Sequence, residues 1–316
     1  MSAAETNDEL AAAIDAELRR VVAPAVTAFA AQLAALAGEA TAAVLFYGSA
    51  LRDGKLDGVL DFYVLVDRAS AWPGSRLAAF ANRLLPPNVG YVEATIEGQA
   101  LRAKYAVMTG GQFANAMSAR RIDTTLWARF SQPAACVWAR GEADRSAVVA
   151  AVVAAVVTAA RWTAVLGPER GDAAAFWRAL YLRTYASELR VEGSARGADL
   201  IAGDTARYTR LLPAAWHVAG VPFAHGDDGL LAPALGGSER RAALRRWGLR
   251  QRLGRPLNLL RLLKAASTFA NAIDYVAWKV ERHSGYRIEP SPFQRRHPLL
   301  AAPLLYWRLR ARGVLR

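Results

Sequence analysis

One cysteine, Cys136, is present among 316 residues. That excludes an intramolecular disulfide framework and a cysteine-rich zinc site, and makes a reducing compartment the default expectation. Lysine is nearly as scarce, with Lys55, Lys104, Lys264 and Lys279 standing beside 36 arginines. The four histidines, His217, His225, His283 and His297, are scattered without metal-ligand spacing, which argues for structural or surface roles. The first ten residues hold Glu5, Asp8 and Glu9 and no base, so neither a secretory leader nor an arginine-rich transit peptide is expected. The most apolar uncharged run, free of proline and glycine, lies between Arg145 and Arg161. It falls short of the roughly 20 apolar residues that span a bilayer, so a buried helix is the expectation.

Hydrophobic residues make up 53% and charged residues 21%, which fits a folded chain and argues against disorder. The net charge of +13 is unevenly placed. Residues 1–237 carry 22 bases against 23 acids, whereas residues 238–316 carry 18 against 4. A neutral body with a basic end implies a polyanionic partner, either anionic lipid or nucleic acid.

Along the chain, Thr6 and Glu9 read as a capping box that opens a helix over 8–37, bent near Pro24 and stopped at Gly38, with Leu10, Ile14 and Leu18 on one face. Short strands are expected at 43–47, 59–66, 91–96 and 101–108, with turns at Gly54 to Gly58 and at Glu97-Gly98. Ser75 to Leu85 has helical spacing. Cys136 sits in an apolar, strand-like run. From about 142 the chain turns helical, with helices expected over 142–166, 172–192, 199–211, 238–252 and 257–283 and a loop across 220–237. Asp227-Asp228 in that loop reads as a turn. The expected organisation is an α/β domain over 1–140, a helical domain over 141–256, and a basic helix with a tail over 257–316.

The chemistry is concentrated early. A strand ends in Tyr47-Gly48-Ser49, and Asp61 follows twelve residues after Ser49 on the next strand. This is the arrangement of nucleotidyltransferases of the polymerase-β type. Glycine lets backbone approach a triphosphate, serine adds a hydroxyl donor, and the carboxylate faces a divalent cation that neutralises the transferring phosphoryl group. The usual second carboxylate, two residues on, is Tyr63 here. Glu93 and Glu97 are the candidates to supply the missing acid, with Asp57 as a fallback.

Four segments in order resemble the mitochondrial translocator assembly and maintenance family, whose members are CDP-diacylglycerol synthases. They are Tyr47-Gly48-Ser49 with Asp61-Phe62, Glu97-Gly98 with Lys104-Tyr105, Leu126 to Pro133 around Arg129, and Leu262-Leu263-Lys264 through Tyr275 to Lys279. The resemblance spans roughly 43–283. Ala50 replaces a glycine of the family pattern, and Trp72-Pro73 stands where the family has Trp-His.

The resemblance implies an α/β nucleotidyltransferase domain followed by a helical domain. It further implies a phosphatidate cytidylyltransferase that uses CTP and Mg²⁺ or Mn²⁺. Ser49, Asp61 and Lys104 are then expected at the catalytic centre, with Tyr47, Gly48, Ser49, Lys104 and Arg129 on the nucleotide. Asp61, Glu97 and Glu93 are expected on the metal. Lys264 and Lys279 are expected on lipid.

The tail pairs Leu304, Leu305, Tyr306 and Trp307 with Arg308, Arg310, Arg312 and Arg316. It reads as an amphipathic contact with the inner face of the cell membrane, so that the protein is cytoplasmic and peripheral. Nucleic acid is the less favoured partner, because the aromatics lie in helical, leucine-rich context rather than on a basic sheet. Two alternatives stay open: nucleotidyl transfer to another acceptor, such as another lipid phosphate, a sugar phosphate or RNA, and a non-catalytic relic that binds membrane or nucleic acid.

Overall fold

A computed structural model describes residues 2–187, 201–268, 271–284 and 286–296. Its centre is a mixed five-stranded sheet. The strands are β1 (Thr41–Tyr47), β2 (Val59–Val66), β3 (Asn88–Ile96), β4 (Gln99–Thr109) and β5 (Ala134–Ala139), in the spatial order β3-β4-β2-β1-β5. Only β2 and β4 run parallel, and the other neighbours are antiparallel. The β3–β4 turn falls at Glu97-Gly98 as expected. Both residues have positive φ, 52° and 80°, as a two-residue hairpin turn of the primed kind requires.

Both faces of the sheet are covered, which explains the near-continuous apolar run of β2. Phe46, Leu60, Phe62 and Val64 face α2 (Pro24–Ala35), where Phe29 stacks on Phe62. Leu45, Tyr63, Leu65 and Met108 face the other way, under α5 (Gly110–Ala116), α6 (Thr125–Phe130) and α7 (Glu142–Leu166). The α7 helix has the length and hydropathy of a membrane span, but 72% of its apolar window is enclosed by neighbouring elements. One core continues from this sheet face through α7 to α8 (Ala173–Ser187), α9 (Thr205–Val218) and Trp247. The boundary expected at 140 therefore separates elements that share one core.

Several boundaries differ from the expectations. The N-terminal helix is α1 (Ala3–Leu18), and the box that caps it is Ser2 with Glu5, not Thr6 with Glu9. Its buried face is Leu10, Ile14 and Leu18. Pro24 starts a second helix rather than bending the first, because its ring suits the first turn, where no N–H bond is needed. Ser49–Asp53 forms a short helix, α3, that was not expected. Residues 76–84 form α4 (Arg76–Leu84). The loop over 220–237 contains a two-stranded ribbon, Phe223–His225 with Leu231–Pro233, and Asp228 there pairs with Arg170. The helix expected over 199–211 runs over 205–218 as α9. The break expected between 252 and 257 does not occur. One helix, α10 (Gly237–Thr268), continues through Pro256, which is exposed, so the bond it forfeits lies on the solvent side. The chain turns instead at Asn271, whose φ is +57°, before α11 (Ala272–Ser284) and α12 (Pro292–Arg296). Trp307, Arg308, Arg310 and Arg312, with the rest of the expected tail, lie outside the described residues.

Candidate active site

Strand register builds the site. Tyr47 pairs with Asp61 across β1 and β2, Asp61 with Lys104 across β2 and β4, and Lys104 with Tyr91 across β4 and β3. Directly paired residues project from the same face. Four side chains from four strands, Tyr47, Asp61, Lys104 and Tyr91, thus form one transverse row.

Immediately after β1 the chain turns at Gly48, with φ +96° and ψ −160°. That region of backbone space is essentially restricted to glycine. A Cβ built at Gly48 would also come within 3.0 Å of the Asp61 Oδ2. The glycine therefore does two things at once. It allows the turn, and it leaves room for the Asp61 carboxylate. Ser49, the first residue of α3, is exposed beside it. Gly48→Ala combines a strained backbone, about 1–3 kcal/mol, with a contact that displaces Asp61. We expect Gly48→Ala to lower the unfolding midpoint and to remove most activity, whereas Ala50→Gly leaves both near the parent values. Thermal unfolding and the transfer assay below check this.

Arg129 reaches the row from α6. Its Nη1 donates to the Tyr63 hydroxyl at 2.8 Å, and its guanidinium lies over the rings of Tyr47 (5.2 Å) and Tyr63 (5.8 Å). Tyr63 is 2% exposed, on the same sheet face as Asp61 and two residues on. At the place where a second carboxylate was expected, the protein thus has a phenol that accepts from an arginine. Phe113 and Phe130 pack around this group and fix it.

The α11 helix closes the other side. Asn271 Nδ2 donates to the Tyr91 carbonyl at 2.9 Å, and the Tyr275 ring sits 5.5 Å from that of Tyr91. Burial, and then the negative charge of Asp61, push the Tyr275 hydroxyl above its usual range. Burial, reinforced by its hydrogen bond to Glu93, does the same to Tyr91. Both phenols stay protonated at neutral pH and act as neutral donors.

No family model matches this chain, and no curated protein does.

Tyr47, Gly48, Ser49, Asp61, Lys104 and Arg129 are brought together. Glu93 and Glu97 are not. Glu93 accepts from Tyr91 at 2.6 Å and lies 3.6 Å from Arg102, roughly 12 Å from Asp61 by strand spacing. Glu97 stands on the exposed hairpin turn, roughly 20 Å away on the same reckoning. Asp57 is turned to Arg282 of α11. Among the described residues no cluster of three or more His, Cys, Asp or Glu forms a metal cage. One carboxylate beside a glycine turn does fit Mg²⁺, which dehydrates reluctantly and is commonly held by one or two carboxylates plus substrate phosphates.

Lys264 is also corrected. Its Nζ donates to the carbonyls of Leu85 and Pro87, each at 2.6 Å, so it clamps α10 to the end of α4 instead of presenting a free charge to lipid. Lys279 lies on α11, and nothing is described of its side chain. Burial, then Arg261, push Lys264 down to about 8. Between about pH 8 and the ordinary lysine value the folded chain holds fewer protons here than the unfolded one. This group's contribution to stability therefore grows as pH rises through that window and is lost as pH falls to 8. Comparing unfolding midpoints from pH 7 to 10.5, we expect Lys264→Met to flatten that increment and to be less stable throughout, by about 1–3 kcal/mol for the carbonyls left unpaired.

Tyr91 could have been found in advance. It lies six residues out from the Glu97-Gly98 turn on one arm and Lys104 lies six out on the other, so the turn alone sets them opposite. Tyr275 enters the sequence reading only within the fourth segment, because no local pattern says which helix returns to a sheet.

Proposed function

We propose that this chain is a phosphatidate cytidylyltransferase with a polymerase-β-type nucleotidyltransferase fold, working at an anionic membrane surface on the cytoplasmic side. The observation that supports this reading is the row Tyr47–Asp61–Lys104 with Gly48 held against Asp61. A carboxylate, a lysine and a glycine turn meet at one end of the central strands, with Arg129 stacked behind them. Such a set suits a triphosphate with its cation.

In this reading Asp61 is the residue that would hold Mg²⁺. When bound, the ion supplies charge neutralisation at the transferring phosphoryl group. Lys104 and Arg129 bind phosphate oxygens, and Ser49 donates its hydroxyl. A phosphatidate oxygen attacks the α-phosphorus of CTP, a new P–O bond forms, the α–β bridging P–O bond breaks, and pyrophosphate leaves. The phosphate monoester has a second pKa near about 6, so the nucleophile is already dianionic at neutral pH. No side-chain base is needed. Positioning and electrostatics carry the acceleration.

The test is pyrophosphate release by the purified chain with Mg²⁺, phosphatidate and each of the four ribonucleoside triphosphates in turn. Release with CTP and phosphatidate together, and not with either omitted, is the expected result. Equal release with a sugar phosphate or an RNA end in place of phosphatidate would replace the acceptor and keep the reaction type.

A further inference from the structure

The α4 helix carries an apolar face that no described element covers. Leu77, Phe80 and Leu84 are 74%, 59% and 69% exposed. At 100° per residue they fall in one stripe, while Ala78, Ala79 and the buried Asn82 face inward, where Asn82 Nδ2 holds the Val107 carbonyl. Arg76 and Arg83, both exposed, line one edge of the stripe, and α4 contains no acid.

A second apolar stripe lies on α10, the helix to which the end of α4 is bonded. The two Lys264 bonds fix Leu85 and Pro87 to α10, and Leu260, 55% exposed, lies one turn before Lys264. On that helix Leu249 and Leu253, 51% and 41% exposed, continue the same face at intervals of four and seven, with exposed Arg245 and Arg252 beside them. Both apolar stripes are rimmed by exposed arginine. An anionic leaflet accepts leucine and phenylalanine among its acyl chains and attracts the arginines beside them. The charge excess of residues 238–316, 18 bases to 4 acids, has the same sign.

We propose that α4, with the adjoining stripe of α10, is a membrane-docking surface for an anionic leaflet, distinct from the tail that the sequence singles out. It deepens the proposed function and rests on its lipid acceptor, since it names the surface through which the protein would meet that lipid.

The test is co-sedimentation of the full chain with vesicles of phosphatidylcholine alone and of phosphatidylcholine mixed with phosphatidylglycerol. The wild type binds the mixed vesicles. Leu77→Glu/Phe80→Glu/Leu84→Glu binds them at least about tenfold more weakly. Arg76→Ser/Arg83→Ser weakens binding to mixed vesicles and lessens its dependence on salt. All substituted positions are exposed, and an unchanged unfolding midpoint checks that the fold is intact. Asp61→Asn binds as the wild type does, so failure of docking and failure of catalysis are told apart. Undiminished binding by the leucine-phenylalanine variant overturns the proposal, as does absence of binding by the wild type. A wild-type dimer that this variant makes monomeric, with vesicle binding unchanged, assigns the face to a second copy of the chain and overturns it too.

Discussion

Asp61→Asn is expected to slow nucleotidyl transfer at least about a hundredfold while leaving the unfolding midpoint within a degree or two of the parent, about 2.7 kcal/mol of barrier. The amide keeps the shape of the carboxylate beside Gly48 but removes the charge that the row offers to a cation. Neither acid nor phenol close to it in the strands replaces that charge. Glu93 is turned to Tyr91 and Arg102, and Tyr63 at the second position accepts from Arg129. Steady-state rates at saturating Mg²⁺ check this. A variant that retains more than about a tenth of the rate means that Asp61 is not the principal ligand, because that loss is only ~1.4 kcal/mol.

The largest effect on stability is expected far from this row. Arg207 of α9 and Glu17 of α1 form an ion pair whose side chains are 3% and 7% exposed. Burial by itself pushes the Arg207 guanidinium down, and Glu17 beside it pulls it up, with the net direction upward. Arg207 Nη1 also donates to the Ser131 carbonyl at 3.0 Å, just beyond the helix that carries Arg129. Glu17→Ala leaves a buried cation uncompensated, at a cost of about 3–5 kcal/mol, a large share of the ~5–15 kcal/mol that holds a typical domain together. Replacing both partners by apolar residues, as in Glu17→Leu/Arg207→Met, removes the stranded charge and is expected to recover much of that loss. Equilibrium denaturation of the two variants decides. A Glu17→Ala protein within about 1 kcal/mol of wild type would show that water reaches this pair.

The elements legible in the sequence are those whose own composition decides them. Residues 59–66 and 142–166 take the expected boundaries because an apolar run, bounded by glycine or charge, has few other places to go. The Glu97-Gly98 turn is similarly local. The N-terminal cap was ambiguous for a plain reason: Ser2 to Glu5 and Thr6 to Glu9 both satisfy the capping pattern. The earlier box wins, and the helix gains a turn that includes Ala3 and Ala4, the best helix formers. Pro256 signalled a break, but its helix keeps most of its bonds and packs through Trp247 and Lys264 on either side.

At the site, Gly48, Ser49 and Asp61 were readable because they are close in the chain. The Arg129–Tyr63 pair joins residues 66 apart, and the return of Tyr275 to the row depends on helix packing that no local periodicity encodes. Glu97 was misplaced for the converse reason. An acid next to a strand says nothing about how far along that strand the row lies.

The most direct measurement follows the atom that is transferred. CTP labelled at its α-phosphorus is incubated with the folded chain, Mg²⁺ and phosphatidate in mixed vesicles, and the lipid phase is extracted. The account predicts label in the lipid phase as a cytidine-containing phospholipid, matched by unlabelled pyrophosphate in equal amount, and accumulating at least about a hundredfold more slowly with Asp61→Asn. Label that stays wholly in the aqueous nucleotide, with the protein folded and CTP bound to it, contradicts the account.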